Sequence, residues 1–405
     1  MKRFISVIVS ISVIVSALCV PMSVFASSFA TTIGAFEYNG YSIPAYDGDA
    51  YEIINENSPE FSSSQLNQNI YEKYGALDSL GRVTECSANI DQSLKPEGER
   101  EEIGSVYPTG WVQNKYEFVS GKYLYNRSHL IGFQLTGENA NKKNLMTGTR
   151  TFNYAGMLPF ENQVAAYIRQ DDENNVLYRV TPVFRGNNLL AYGVIMEAES
   201  VDDLGKSIKF CVFVYNIEPG VAIDYSSGLN VQSGEKIDLA AAYIELSKYT
   251  YAYTGNTYKP TAKVTVKYAK LPSDCYTVNY TNNKNVGTAT VTVTGKGACK
   301  GSKKVTFKIV PKSTGLLSVA AGKKSATLKW RRQTVQTTGY QIQFSTSSKF
   351  TSPTTFLVKS NKTATRKVTK LKSKKKYYFR IRTYKTVSGK KYYSAWSKSK
   401  AIKVK

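Results

Sequence analysis

From Tyr249 to its last residue the chain reads as one short strand after another. YAYTGNTYKPTAKVTVKYA, CYTVNYTNNKNVGTATVTVTG and KKVTFKIV alternate Thr, Val and Tyr between NNKN and GKG turns, with nothing helical among them. Such a pattern buries its apolar face by stacking sheet on sheet, so residues 228–310 are expected to form an all-β sandwich. Residues 311–405 repeat the pattern, with Trp330, Tyr340, Leu371, Tyr377, Phe379 and Ile381 as the large apolar positions of a second sandwich.

The first part of the chain is built differently. LYRVTPVFRG, LLAYGVIMEAES and IKFCVFVYNI predict three strands of one antiparallel sheet, separated by turn-like GNN and DDLGK. From Pro159 the period changes: Val164, Ala165, Tyr167 and Ile168 make an apolar helical stripe, with Glu161 in the first turn and Arg169 near the end. Gly148 to Gly156 reads as irregular, and the EGEREE run from Glu97 to Glu102 as a solvated surface connection. At 405 residues the chain exceeds a single core. The expected architecture is multidomain: an α+β module over 27–227, then two β-sandwiches over 228–310 and 311–405.

Residues 1–26 read as a secretion signal. Lys2 and Arg3 precede an apolar run from Phe4 to Val24, and Val24-Phe25-Ala26 offers small residues for cleavage. No basic stop-transfer cluster follows, and no second apolar stretch is long enough to cross a bilayer. The expectation is a secreted or cell-surface-associated, extracellular protein without a transmembrane segment after cleavage. In that oxidising setting Cys275 with Cys299, and less readily Cys86 with Cys211, are candidate disulfides. No C-x-x-C spacing supports a zinc-thiolate site.

Charge is segregated along the chain. Residues 311–405 hold 25 Lys and Arg with no Asp or Glu, and residues 228–310 carry a net +8, which leaves −9 of the total +24 for residues 1–227. An acidic module is thus joined to strongly basic ones, and polyanions are the partners such a field attracts.

Chemistry concentrates between Tyr123 and Arg169. YLYNRSHLIGF contains His129, the only histidine of the protein. On a strand, Tyr123, Tyr125, Arg127 and His129 share one face. A neutral imidazole suits deprotonation of water, and a hard cation held by oxygen ligands suits neutralisation of a phosphate. Asn153 and Glu161, at the start of the predicted helix, supply oxygen ligands, and no histidine cluster suggests zinc.

YNRSHLIG followed by NLMTGTRTFN and MLPFEN resembles the DNA/RNA non-specific endonuclease family, the ββα-metal nucleases, in its secreted Gram-positive DNase branch. The resemblance spans about residues 35–225. It implies His129 as general base, Asn153 as the direct ligand of Mg²⁺ (or Mn²⁺ in its place), and Glu161, eight residues on, as holder of a metal-bound water. Arg127 is the first choice for a phosphate-binding or structural arginine, with Arg150 and Arg169 also near the motif; Gln134, Asn141 and Asn144 are further candidates for the cleft. Asn126 and Ser128 stand where the family motif has aspartate and glycine, which puts rate and metal preference in question more than reaction class. The two tail modules resemble bacterial immunoglobulin-like and fibronectin type III modules.

The implied function is a secreted, Mg²⁺-dependent, sugar-non-specific endonuclease that hydrolyses DNA and RNA phosphodiesters to 5′-phosphate ends. The competing reading is a catalytically inactive cell-surface adhesin that binds DNA or anionic cell-wall polymer through its basic β modules. Lys374, Lys375 and Lys376, with Lys390 and Lys391, are the basic clusters either reading would use.

Overall fold

The structure, a computed structural model, describes residues 29–66 and 69–405; the signal segment 1–26 lies outside the described residues. The first module is α+β, and all-β modules follow it. Its strands are β1 (Tyr51–Ile53), β2 (Tyr71–Tyr74), β3 (Cys86–Ile90), β4 (Tyr125–His129), β5 (Leu145–Thr149), β6 (Val176–Val183), β7 (Gly193–Ser200) and β8 (Lys209–Tyr215), and its main helix is α1 (Leu158–Ile168). Six strands form one antiparallel sheet in the order β1-β8-β7-β6-β3-β2, with β6, β7 and β8 neighbours as their sequences require. β4 and β5 form a separate hairpin in which His129 faces Leu145 and Tyr125 faces Thr149.

Period-two alternation divides the apolar residues between the two faces of the sheet. Val194, Met196, Ala198, Phe210, Val212 and Val214 pack on one face with Val164, Ala165 and Ile168 of α1. Ile195, Cys211, Phe213 and Tyr215 point to the other, against Ile33, Ile43, Leu124 and Tyr225. Each large apolar side chain buried this way contributes roughly 1.5–3 kcal/mol. The second face also carries a buried ion pair across adjacent strands: Arg179 grips Glu197 at 2.7 and 2.8 Å, and the backbone N–H of Glu60 donates to the same carboxylate at 2.8 Å.

Gly148 to Gly156 is more ordered than its sequence suggests. Thr149 ends β5, and Phe152–Met157 forms a wide π-helical turn that runs directly into α1. Its start is held from far along the chain, because Glu218 accepts from the Thr151 N–H at 2.8 Å and from the Thr151 hydroxyl at 3.0 Å.

The four described cysteines are buried and none forms a disulfide. A Cys86–Cys211 disulfide is ruled out by position: β3 and β8 are separated by two intervening strands, about 14 Å at ordinary strand spacing, far beyond disulfide reach. Cys275 and Cys299 share one core, and a hydrogen bond between the thiols draws Cys299 below its usual range.

Val221–Asp224 pairs with Phe29–Ala30 on one side and with Asn230–Gln232 on the other, so a strand beyond residue 227 is still hydrogen-bonded to the first module. The middle β region stacks Thr250–Ala252, Ser302–Val310, Gly287–Gly295 and Tyr276–Thr281 against a three-stranded sheet begun by Tyr243–Leu246. In the last module Trp330, Tyr340, Phe379 and Ile381 form the centre of the core, as expected. On its surface Arg380 lies over Phe350 and Trp396, at 4.1 and 4.7 Å, and Arg382 over Trp396 and Tyr393, at 4.3 and 4.1 Å. Among the described residues no helix is long and apolar enough to cross a membrane.

Candidate active site

β4 positions the site. Its Tyr125, Arg127 and His129 line a cavity of about 670 Å³, and Asn153 from the π-helical turn and Glu161 from the first turn of α1 line the same space. The hairpin brings in the strand and the helix start brings in the oxygen donors, so residues up to 36 positions apart face one volume.

The ring of His129 is fixed at both nitrogens. Nε2 lies 2.8 Å from the carbonyl oxygen of Asn139, and Nδ1 lies 3.3 Å from Nη2 of Arg100. A guanidinium only donates, so Nδ1 carries the lone pair and Nε2–H donates to Asn139. Burial pushes the imidazole down to about 4; the Asn139 carbonyl opposes the shift and the Arg100 charge adds to it. The imidazole is therefore neutral over the whole physiological range.

Glu161 is buried, and desolvation pushes its carboxyl up to about 7 against the opposing pull of a Gln134 hydrogen bond and the Arg100 charge. Its carboxylate rests on Gly132, where an added Cβ would come within 2.6 Å of Oε2. The Asn153 side chain makes no hydrogen bond among the described residues and lines the cavity beside it. One free amide and one buried carboxylate form a hard-oxygen donor set, which fits a small divalent cation better than a thiophilic one.

Three arginines reach the cavity, and they differ in how far they are committed. Arg127 is tied to the carbonyls of Val106 and, at 2.7 Å, Gly104, and its guanidinium lies between Tyr107 and Trp111, 5.2 and 4.3 Å from the ring centroids. It clamps the segment before β4, the structural half of what was expected of it. Arg150 lies over Tyr154 at 4.7 Å, and its Nε is buried without a partner. Arg169 is exposed and does not line the cavity.

Arg100 is the residue that sequence reasoning missed. The EGEREE run is exposed throughout, as expected, yet the Arg100 guanidinium reaches Nδ1 of His129 and lines the cavity. Asn139, the partner of Nε2, was also missed; its side chain donates to the Glu101 carbonyl at 3.0 Å and joins the two loops.

Of the further candidates, only Gln134 lines the cavity. Asn144 is fully buried and exchanges two 2.9 Å hydrogen bonds with the Ile131 backbone, so it fixes the loop after His129. The Asn141 side chain caps the Lys143 N–H. Asn126 lines the cavity with its Nδ2 buried and unpartnered, whereas Ser128 is buried and does not line it. Asp47 and Asp49 before β1 and Glu52 within it bring carboxylate oxygens within 4.8 Å of one another, away from this cavity.

Residues 63–202 match the family model described as DNA/RNA non-specific endonuclease, and residues 311–400 match the fibronectin type III domain. A deoxyribonuclease of Streptococcus dysgalactiae subsp. equisimilis is 33% identical over 110 residues, 26% of this chain; the match spans about a third (32%) of that relative's length. Among solved structures, NucA from Streptococcus agalactiae with magnesium bound is 22% identical, covering 50% of this chain and 90% of that one at a TM-score of 0.40. Sda1 nuclease with bound zinc is 25% identical, covering 46% and 98% at a TM-score of 0.40.

Proposed function

Proceeding from a chain that carries a ββα nuclease-type domain followed by a fibronectin type III module, we propose that it is an exported, divalent-metal-dependent endonuclease that hydrolyses DNA and RNA phosphodiesters with His129 as general base. One observation carries the reading: a neutral imidazole held at both nitrogens lines the cavity that also receives Asn153 and Glu161.

In this reading a water in the cavity gives its proton to Nδ1 of His129 and attacks the phosphorus, and the 3′ oxygen leaves, so that the product end is a 5′-phosphate. Nε2–H stays on the Asn139 carbonyl throughout and steadies the imidazolium that forms. Arg100 occupies Nδ1 in the free protein; an incoming phosphate draws the guanidinium off, which frees the lone pair and brings positive charge to the reacting group. Asn153 and Glu161 are the residues to hold Mg²⁺, or Mn²⁺ in its place, and the ion when bound neutralises phosphate charge and stabilises the leaving oxygen. The attacking water is external, so no 2′-hydroxyl is needed and both sugars are substrates.

The basic last module holds the substrate nearby through a sequence-independent, salt-sensitive attraction. Arg380 and Arg382 are committed to their aromatic stack and to Gln343 and Gln341, which leaves the attraction to the exposed lysines, Lys374–Lys376 among them. Incubating the full chain with plasmid, linear DNA and RNA, in Mg²⁺ or in chelator, tests the proposal. Cutting that chelator abolishes and Asn153→Ala removes is the expected result; no cutting of any of the three in Mg²⁺ overturns it.

A further inference from the structure

The far end of the cavity contains no group suited to the hydrolytic step. It is walled by Trp111, Gln113, Tyr123 and Tyr125; Tyr125 lies on the His129 face of β4, and Tyr123 precedes the strand by two residues. At strand rise Tyr123 stands about 20 Å from His129, beyond the reach of a single nucleotide seated at the reacting centre.

This end has an unusual surface. Tyr123 is 51% exposed although it lines a cavity, and the Lys115 ammonium sits 4.4 Å from its ring centroid. An antiparallel bridge between Lys115 and Tyr123 holds the two together. Trp111 is half-buried and backed by the Arg127 guanidinium at 4.3 Å, so the indole is rigidly presented. The polar side chain between them is already engaged: Gln113 donates to the Tyr125 carbonyl at 2.6 Å and accepts from the Tyr125 N–H at 3.0 Å.

From this we infer that the Trp111–Tyr123 end is a stacking subsite for an unpaired nucleobase, which makes single-stranded or locally opened nucleic acid the preferred substrate. The inference rests on the phosphodiesterase reading above and specifies its substrate class. An aromatic face beside a cation takes a flat base and its neighbouring phosphate. A base inside a regular duplex has both faces covered by its neighbours and cannot use the platform. With the Gln113 amide engaged, the subsite stacks a base without reading its edge, so the preference is for strandedness and not for sequence.

The test compares wild type with Tyr123→Ala and Tyr123→Phe, using a labelled oligothymidylate and a duplex of equal length, with binding measured in chelator and steady-state cleavage in Mg²⁺. Wild type is expected to bind the single strand more tightly. Tyr123→Ala is expected to weaken single-strand binding and raise its KM by about tenfold, with kcat and duplex binding unchanged. Tyr123→Phe keeps the wild-type values, and hydrolysis of a small aryl phosphodiester, too short to reach Tyr123, is the same in all three proteins. Equal losses on single strand and duplex, or no loss on either, overturn the inference. If wild type cuts nothing, the hydrolytic reading fails while the binding measurements in chelator still decide the subsite.

Discussion

Arg100 and His129 meet at 3.3 Å, guanidinium to Nδ1, so the histidine proposed as base is held in the free protein by a cation from a run of glutamates. That contact fixes the tautomer, helps to keep the ring neutral and occupies the atom proposed to accept the proton.

The first consequence concerns pH. The folded imidazole titrates at about 4, whereas an unfolded histidine titrates near ~6.5. Between these values the unfolded chain binds a proton that the folded chain does not. Stability therefore rises with pH across this window and is lost as pH falls through it, on the order of 3 kcal/mol in all. Glu161, raised to about 7, contributes a slope of opposite sign over much of the same window, so the His129 contribution is read as the difference between wild type and His129→Asn in urea denaturation at a series of pH values. In the same way the acid limb of kcat/KM should lie well below the ordinary histidine range.

Replacing Arg100 separates its two effects. Arg100→Ala removes a positive charge that depresses His129, so the acid limb of kcat/KM should move to higher pH. It also removes a donor for the phosphate, and kcat should fall by roughly 10²–10³. A pH–rate profile of the variant checks both, and an unmoved limb would separate Arg100 from the base.

Gly132 is required by its neighbour and not by its backbone. Its φ of −58° suits any residue, but a Cβ would meet the Glu161 carboxylate at 2.6 Å. Gly132→Ala should therefore leave the fold in place and weaken Mg²⁺ binding by about 10–100-fold, the range for a displaced supporting group. Calorimetric titration with Mg²⁺ in the absence of nucleic acid is the measurement.

The Arg179–Glu197 pair lies in the core away from the cavity. Glu197→Ala strands a buried guanidinium and should cost about 3–5 kcal/mol, whereas replacing both partners with methionine should cost much less. Chemical denaturation of the single and double variants distinguishes the two.

Much of this was legible in local sequence. The stripe from Val164 to Ile168 and the proline at its start placed α1 within a residue of Leu158–Ile168. Asn39-Gly40, both at positive φ, make the two-residue turn between Phe36–Tyr38 and Tyr41–Ile43 that an Asn-Gly pair favours. Alternation along β4 put Arg127 and His129 on one face, and both line the cavity. The remainder depended on contacts between distant residues. The π-helical turn is capped by Glu218, 67 residues beyond Thr151, and no local pattern announces it. Arg100 reaches His129 across the cavity wall, and a run of charges gives no sign of such a contact. Asn144 looked like a cleft residue because its type suits one, and only its pairing with Ile131 identifies it as structural.

The most direct test of the central claim is plasmid cleavage by His129→Ala in Mg²⁺, with and without added imidazole. Loss of cutting that free imidazole partly restores, with Mg²⁺ affinity unchanged, is the expected result. Cutting at the wild-type rate without imidazole would contradict the account.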